Sequence, residues 1–197
     1  MQTEIEAKFL AINHDHIRAA LHKLGAELVQ PMRVMKRRNY DFVDRRLDKK
    51  DAWVRVRDEG DKITMSFKRV FDRSLTGTHE VNLTIDSFDG ANSFLNELGL
   101  TAGSYQETKR ESWLLDGCQV ELDEWPWVKP YVEIEGETES AVKELALKLG
   151  LDWTRALHGS VEVVYMAEYD VAEQDVDDWP EITFTPVPDW LEAKRRS

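Results

Sequence analysis

Acidic side chains occupy every second position in two short segments of this chain. Near the amino terminus, TEIEAKF carries Glu4 and Glu6 with Lys8 in the same phase, and YVEIEG carries Glu133 and Glu135. Carboxylate oxygens suit Mg²⁺, which proteins usually hold with a few carboxylates together with the phosphates of a substrate. The two segments therefore indicate a place where a divalent cation and a phosphate-bearing ligand would meet.

Basic side chains recur with the same spacing in three other segments. WVRVR contributes Arg55 and Arg57, TMSFK contributes Lys68, and KRESWLL contributes Arg110. Arginine pairs with phosphoryl oxygens through two parallel hydrogen bonds, and lysine adds a compact point charge. Phosphoryl transfer needs positioning and charge neutralisation more than covalent chemistry from the protein. The cations therefore predict a polyanion as the ligand.

A spacing of two residues predicts strands, because alternate residues of a strand lie on one face, about 6.6 Å apart. Three segments with apolar residues at helical spacing predict helices within 14–26, 88–100 and 139–151. The chain is thus predicted to be α+β, with an eight-stranded antiparallel sheet closed into a β-barrel and flanking helices. The predicted strands lie near 3–12, 34–43, 52–58, 62–70, 78–86, 107–115, 118–124 and 130–137.

For any one strand, a charged face could simply be the solvated side of a half-buried ladder. That explanation weakens across seven strands, since arginines and acids concentrate on one face. If the barrel closes with these faces inward, its lumen holds about five cations and six carboxylates, which is costly unless the charges pair or meet ions.

Composition narrows the class of protein. The chain has 197 residues, a formal charge of −12 and a single cysteine, Cys118. Such a charge argues against nucleic-acid and anionic-membrane binders, which rely on positive fields. We expect a cytoplasmic monomer or homodimer, with one domain over 1–170 and an acidic, proline-interrupted appendage over 171–197.

The motifs taken in order resemble a known family. EIEAK resembles the E-x-E-x-K signature of the CYTH superfamily, the triphosphate tunnel metalloenzymes, which includes class IV adenylyl cyclases, thiamine triphosphatases and inorganic tripolyphosphatases. The resemblance continues through WVRVR, SFKR, THEVN, TKRES, ELDEW and YVEIEG, and covers roughly residues 2 to 170. It implies an antiparallel tunnel in which a triphosphate lies beside a metal ion.

Carried over position by position, the resemblance implies three sets of site residues. Ligands for Mg²⁺ or Mn²⁺ would be Glu4, Glu6, Asp123, Glu133 and Glu135. Phosphate-binding residues would be Lys8, Arg55, Arg57, Lys68 and Arg110. Catalytic roles would fall to Lys8, Lys68 and Glu80, with Glu80 orienting a cation or a water. Asn82 departs from the family, which often has a second acid there.

The leading hypothesis is a metal-dependent enzyme that hydrolyses inorganic tripolyphosphate or an organic triphosphate such as thiamine triphosphate. One alternative is a class IV adenylyl cyclase that converts ATP to cyclic AMP and pyrophosphate, because the phosphate and metal groups would be alike for both reactions. Another is a non-catalytic sensor of polyphosphate or nucleotide. A barrel whose charges only pair with one another is a further possibility.

Overall fold

The structure, a computed structural model, describes the backbone of residues 2–71 and 77–196 and the side chains of 5–71 and 77–196. Its main element is one large antiparallel sheet. No helix of these residues is long and apolar enough to cross a membrane. The strands are β1 Gln2–Glu4, β2 Glu6–Leu10, β3 Glu27–Phe42, β4 Ala52–Asp58, β5 Ile63–Val70, β6 Thr78–Ile85, β7 Leu100–Leu115, β8 Cys118–Glu124, β9 Tyr131–Glu135 and β10 Glu181–Ile182.

The sheet curls because the two halves of the first strand lie at its opposite edges. The strand order is β1-β6-β5-β4-β3-β7-β8-β9-β2. The chain is interrupted at Ile5, so that β1 pairs with β6 while β2 pairs with β9. The predicted antiparallel tunnel with flanking helices is confirmed, although the barrel is more open than expected. Its two edges are joined only through this interrupted strand.

Two strands are longer than the sequence indicated. β3 begins at Glu27 rather than near residue 34, and passes Pro31 at a register irregularity between Gln30 and Arg33. Proline has no N–H to donate to a ladder, so it is tolerated at such irregularities. β7 begins at Leu100 because its first half pairs with β3 and with the short parallel strand β10.

Six α-helices are described, and the three predicted ones are confirmed. Asn13 caps α1 by accepting hydrogen bonds from the backbone N–H groups of residues 15 and 16, and Gly25 ends it at a φ of 77°. Glycine adopts this left-handed conformation without steric cost. The helices are α1 His14–Leu24, α2 Phe88–Glu97, α3 Glu139–Lys148, α4 Glu162–Glu168, α5 Glu173–Asp178 and α6 Asp189–Glu192.

Apolar side chains form separate cores, one of them on the outer face of the sheet. In one core, α1 and α3 pack over β2 and β7–β9, through residues such as Leu21, Val120 and Leu145. A second core is built largely from residues after 160, including Tyr165, Trp179, Ile182 and Leu191. The segment after residue 170 is therefore docked on the body of the molecule.

Candidate active site

The inward faces of the strands enclose a cavity of about 1540 Å³. Because successive side chains of a strand alternate between faces, the charged phase of each strand lines this space. Nine of the predicted site residues line it: Glu6, Lys8, Arg55, Arg57, Lys68, Glu80, Arg110, Glu133 and Glu135. Glu4 lies in β1, but its side chain is outside the described residues.

Lys8 connects two predicted metal ligands. Its Nζ lies 2.7 Å from Glu6 Oε1 and 3.0 Å from Glu133 Oε2, and its side chain is only 3% exposed. Burial alone would lower the pKa of Lys8, but the charges of Glu133 and Glu6 outweigh it and raise the pKa above its ordinary value. Lys8 is therefore a fixed cation that separates two carboxylates.

Arg110 forms a second ionic centre deeper in the wall. It donates to both oxygens of Asp123, from Nε at 2.7 Å and from Nη2 at 2.6 Å, and Nη2 also lies 3.4 Å from Glu133 Oε1. Asp123 is fully buried and does not line the cavity. An arginine therefore occupies both oxygens of Asp123. Among the predicted metal ligands whose side chains are described, this holds for Asp123 alone.

Glu133 lies between the two centres, and its pKa shows the strength of the local field. Burial would raise this pKa, but Lys8 and Arg110 lower it well below the ordinary value. Glu135 behaves in the opposite way. Burial, followed by the charges of Glu133 and Glu6, raises the pKa of Glu135 to about 7. Negative charge is thus in excess at this end of the cavity.

On the opposite wall, Glu80 holds two of the predicted phosphate-binding cations. Its Oε1 accepts a hydrogen bond from Arg55 Nη2 at 3.3 Å, and its Oε2 lies 3.2 Å from Lys68 Nζ. The strand register places Lys68 directly across from Glu80 on the neighbouring strand. The carboxylate therefore orients both cations, as the sequence resemblance implied for one of them.

Arg57 has a carboxylate partner that sequence reasoning missed. Glu59 Oε1 accepts from Arg57 at 3.0 Å and 2.7 Å, and also from the Thr64 hydroxyl at 2.9 Å. Burial would raise the pKa of Glu59, but Arg57 lowers it below the ordinary value. Glu59 stands two residues after Arg57 in WVRVRDEG. The alternation of inward-facing residues therefore continues one residue past the predicted end of the strand at 58.

Two further arginines on β3, which the sequence had not assigned to the site, line the cavity. Arg33 donates to the backbone carbonyls of Glu59 and Arg110 at 3.0 and 3.1 Å, and Arg37 donates through Nε to Gln106 Oε1 at 2.6 Å. Neither forms an ion pair within the described part of the chain. Their spacing of four residues was the available signal, but Arg33 lay outside the strand predicted near 34–43.

The carboxylates present fit a divalent metal ion. Glu6, Glu133 and Glu135 supply only oxygen atoms at one end of the cavity, and Glu121 Oε2 is buried there without a hydrogen-bond partner. Among the described residues, however, no group of three or more His, Cys, Asp or Glu side chains is arranged to hold a metal by itself. This donor set suits Mg²⁺ or Mn²⁺ bound through a few carboxylates, with phosphate and water completing the shell.

The chain was compared with models of protein families. A family model, that of the CYTH domain, matches residues 2–162. A search of curated proteins found no match. The matched range includes every predicted site residue.

Solved structures with the same fold are known. A candidate adenylate cyclase from Vibrio parahaemolyticus has a TM-score of 0.72 at 17% identity, over 84% of this chain and 98% of that chain. The PH1012 protein from Pyrococcus horikoshii OT3 has a TM-score of 0.65 at 19% identity, with 78% and 93% covered. A Hippeastrum protein, a candidate adenylyl cyclase that reveals a dominant triphosphatase activity, has a TM-score of 0.60 at 18% identity, with 83% and 95% covered. At these identities the likeness shows the fold alone.

Proposed function

The chain belongs to the CYTH domain family, and from this premise we propose that it is a divalent-metal-dependent triphosphatase. The observation that carries the proposal is the set of side chains that line the cavity. Arg55, Arg57, Lys68 and Arg110 line it together with the carboxylates that would hold a metal ion. A chamber with both sets of groups suits a substrate that is itself a polyanion and a metal ligand.

Two arginines that line the cavity form no ion pair with a described carboxylate. Arg33 is held by backbone carbonyls and a serine hydroxyl, and Arg37 by an amide oxygen, so neither is neutralised by a described carboxylate. A buried cation without a counter-ion is unfavourable unless a ligand brings one. Phosphoryl oxygens would supply that charge and would accept two hydrogen bonds from each guanidinium.

In the proposed reaction, a water oxygen attacks the terminal phosphorus in line and the P–O bond to the bridging oxygen breaks. For tripolyphosphate the products are orthophosphate and pyrophosphate. Glu80 keeps Arg55 and Lys68 in place, so that their donors meet the phosphoryl oxygens without reorganisation. Lys8 holds the carboxylates of Glu6 and Glu133 in place through contacts of 2.7 and 3.0 Å. A bound Mg²⁺ or Mn²⁺ would neutralise developing charge on the phosphates.

Hydrolysis is favoured over cyclisation because it requires only phosphate and metal groups and a water. The dominant triphosphatase activity of the Hippeastrum protein, which shares the fold, supports the same choice. Glu4 remains a proposed ligand with Glu6, Glu133 and Glu135, whereas we assign Asp123 the role of orienting Arg110, since both of its oxygens accept from that arginine.

The test is product analysis with purified protein given tripolyphosphate, thiamine triphosphate or ATP and either Mg²⁺ or Mn²⁺. Orthophosphate release that stops on chelation is expected. Cyclic AMP with stoichiometric pyrophosphate would instead establish a cyclase, and ligand binding without any product would establish a sensor.

Two variants sharpen this experiment. Glu6→Gln and Glu133→Gln should each lower kcat by about a hundredfold or more, the scale on which a preorganised charged group contributes to catalysis. Glu139→Gln, which removes the same charge from an exposed position on α3, is the matched control. Turnover that survives both active-site substitutions at saturating metal would contradict the proposed site.

A further inference from the structure

The sheet has one edge that its own strands cover only in part. β1 pairs with Thr78–Glu80, the first three residues of β6, and the order of strands ends there. On the other side of β6, Val81–Ile85 is paired with β5 along its whole length. The backbone N–H and C=O groups of Val81–Ile85 that point away from β5 therefore have no strand partner in the part of the chain that the structure describes.

This free segment lacks the features that normally protect the edge of a sheet. Edge strands of soluble proteins usually carry charges, a proline or a bulge. The segment has the sequence VNLTI, without a charged residue or a proline, and its register against β5 is uninterrupted. Asn82 lines the cavity, so the alternate residues Val81 and Leu83 face outward, where they are 44% and 54% exposed. Such an edge is a template for another extended strand.

A small groove lies on the outer face of the sheet at the end of the free segment. Its volume is about 200 Å³, and its apolar lining comes from Met65, Ile85, Ala91 and Phe94. Phe94 is 58% exposed on α2. Side chains directly opposite each other on neighbouring strands are about 5 Å apart, so an apolar residue placed opposite Ile85 would lie against this groove. The edge and the groove thus form one continuous apolar surface.

The length of the free edge limits how an antiparallel strand can be added to it. The added strand cannot extend past Glu80, where β1 already occupies the edge, and β6 itself ends at Ile85. The midpoint of the free segment is Leu83. If the added strand is β6 of a second copy, a two-fold axis at Leu83 uses all five residues. An axis one residue earlier would displace β1, and an axis one residue later would lose two of the five pairs.

In this register the segment is complementary to itself. On the outer face, Leu83 lies opposite Leu83 of the second copy, and Val81 lies opposite Ile85. On the inner face, Asn82 lies opposite Thr84. Each pair joins two apolar or two uncharged polar side chains, and no like charges meet within the ladder. By symmetry, the Val81 side chain of each copy also lies beside the groove of the other.

We propose that the chain forms a reversible homodimer in which Val81–Ile85 pairs antiparallel with the same segment of a second copy, about a two-fold axis at Leu83. The pairing satisfies the free backbone groups of both edges and buries the exposed apolar side chains beside them. A standard interface buries about 800 Å² per partner, and a five-residue ladder with its groove buries less. We therefore expect a dissociation constant in the micromolar range.

The experiment is sedimentation velocity of the full chain over a series of protein concentrations. The wild type should change from monomer to dimer as the concentration rises through the micromolar range. Leu83→Lys and Leu83→Glu each place two like charges directly opposite each other at the axis and remove an apolar contact. Each should raise the dissociation constant about tenfold or more. Leu147→Lys, the same change at a residue of α3 that is 56% exposed, is the matched control and should leave the constant unchanged.

Mixing the two variants tests the register. Only if residue 83 lies opposite itself does an equimolar mixture of Leu83→Lys and Leu83→Glu bring opposite charges together, so the mixture should associate more tightly than either variant alone. A mixture that does not would overturn the two-fold axis, and a dimer that Leu83→Lys leaves intact would overturn the edge. A wild type that stays monomeric throughout would overturn the homodimer and leave the edge to an extended segment of another protein.

The result is separable from the proposed function. Leu83 faces away from the cavity and is more than half exposed, so both variants should fold and release orthophosphate like the wild type when assayed as monomers. Loss of association with unchanged turnover supports the interface. A concentration-dependent dimer in a protein without turnover would contradict the proposed function and still support the interface.

Discussion

The ion pair between Arg110 and Asp123 gives the sharpest prediction for stability. Asp123 is 0% exposed and accepts from two nitrogens of Arg110, which is itself 19% exposed. Asp123→Asn would remove the charge and place an amide N–H₂ against the guanidinium donors. Breaking a buried, hydrogen-bonded pair by altering one partner costs about 3–5 kcal/mol.

The structure favours the lower end of that range. After the substitution, Arg110 still has Glu133 at 3.4 Å and Glu121 at 4.0 Å, so its charge is partly compensated. We therefore expect a loss of about 3 kcal/mol in the free energy of unfolding, which corresponds to a fall of about 6–12 °C in Tm for a chain of this size.

The assay is urea unfolding followed by tryptophan fluorescence, with Tm from calorimetry. Asp116→Asn is the matched control, because Asp116 pairs with Lys148 at 2.6 Å while both side chains are about half exposed. An exposed pair contributes little to stability, because water and salt screen it. A loss below about 1 kcal/mol in Asp123→Asn would refute the reasoning and leave the Asp123 carboxylate available for another ligand.

Three other measurements address the remaining parts of the molecule. Ile182→Ala in the docked carboxyl-terminal segment should cost about 2–5 kcal/mol because Ile182 is fully buried, whereas Leu147→Ala on the exposed face of α3 should cost far less; equal losses in urea unfolding would show that the segment is not part of the folded unit. Arg57 lowers the pKa of Glu59, so the stability that Glu59 provides is present above about pH 4.5 and lost as the pH falls through its lowered pKa. Glu59→Gln should therefore be less stable than the wild type at pH 7, and the gap should narrow below pH 4.5 in urea titrations; a gap independent of pH would contradict this. Mg²⁺ added after chelation should raise the Tm of the wild type more than that of Glu135→Gln, and an identical rise would argue against Glu135 as a ligand.

Local alternation in the sequence was sufficient to predict which face of each short strand carries charge. Side chains of a strand alternate strictly, so the phase of Glu6 and Lys8 or of Arg55 and Arg57 follows from neighbouring residues alone. The same regularity indicated an antiparallel barrel, and the sequence resemblance implied that it forms a tunnel. The alternation did not reveal how far a strand extends, and Arg33 was missed because β3 begins at Glu27 rather than near residue 34.

Which charged side chains pair with one another around the cavity was decided by the tertiary structure. The sequence resemblance implied that Asp123 binds metal, whereas the structure places both of its oxygens against Arg110, its cross-strand neighbour in the β7–β8 hairpin. Likewise, the acidic segment after residue 170 gave no sign that Asp177 would line the cavity. Strand phase is a local property of the backbone. The contact of Lys8 with Glu133 depends instead on the pairing of the distant strands β2 and β9, and the position of Asp177 depends on the docking of a segment through its own apolar core. The sequence by itself therefore determined which charges face inward, and the tertiary structure decided which of them are paired and which remain available to a ligand.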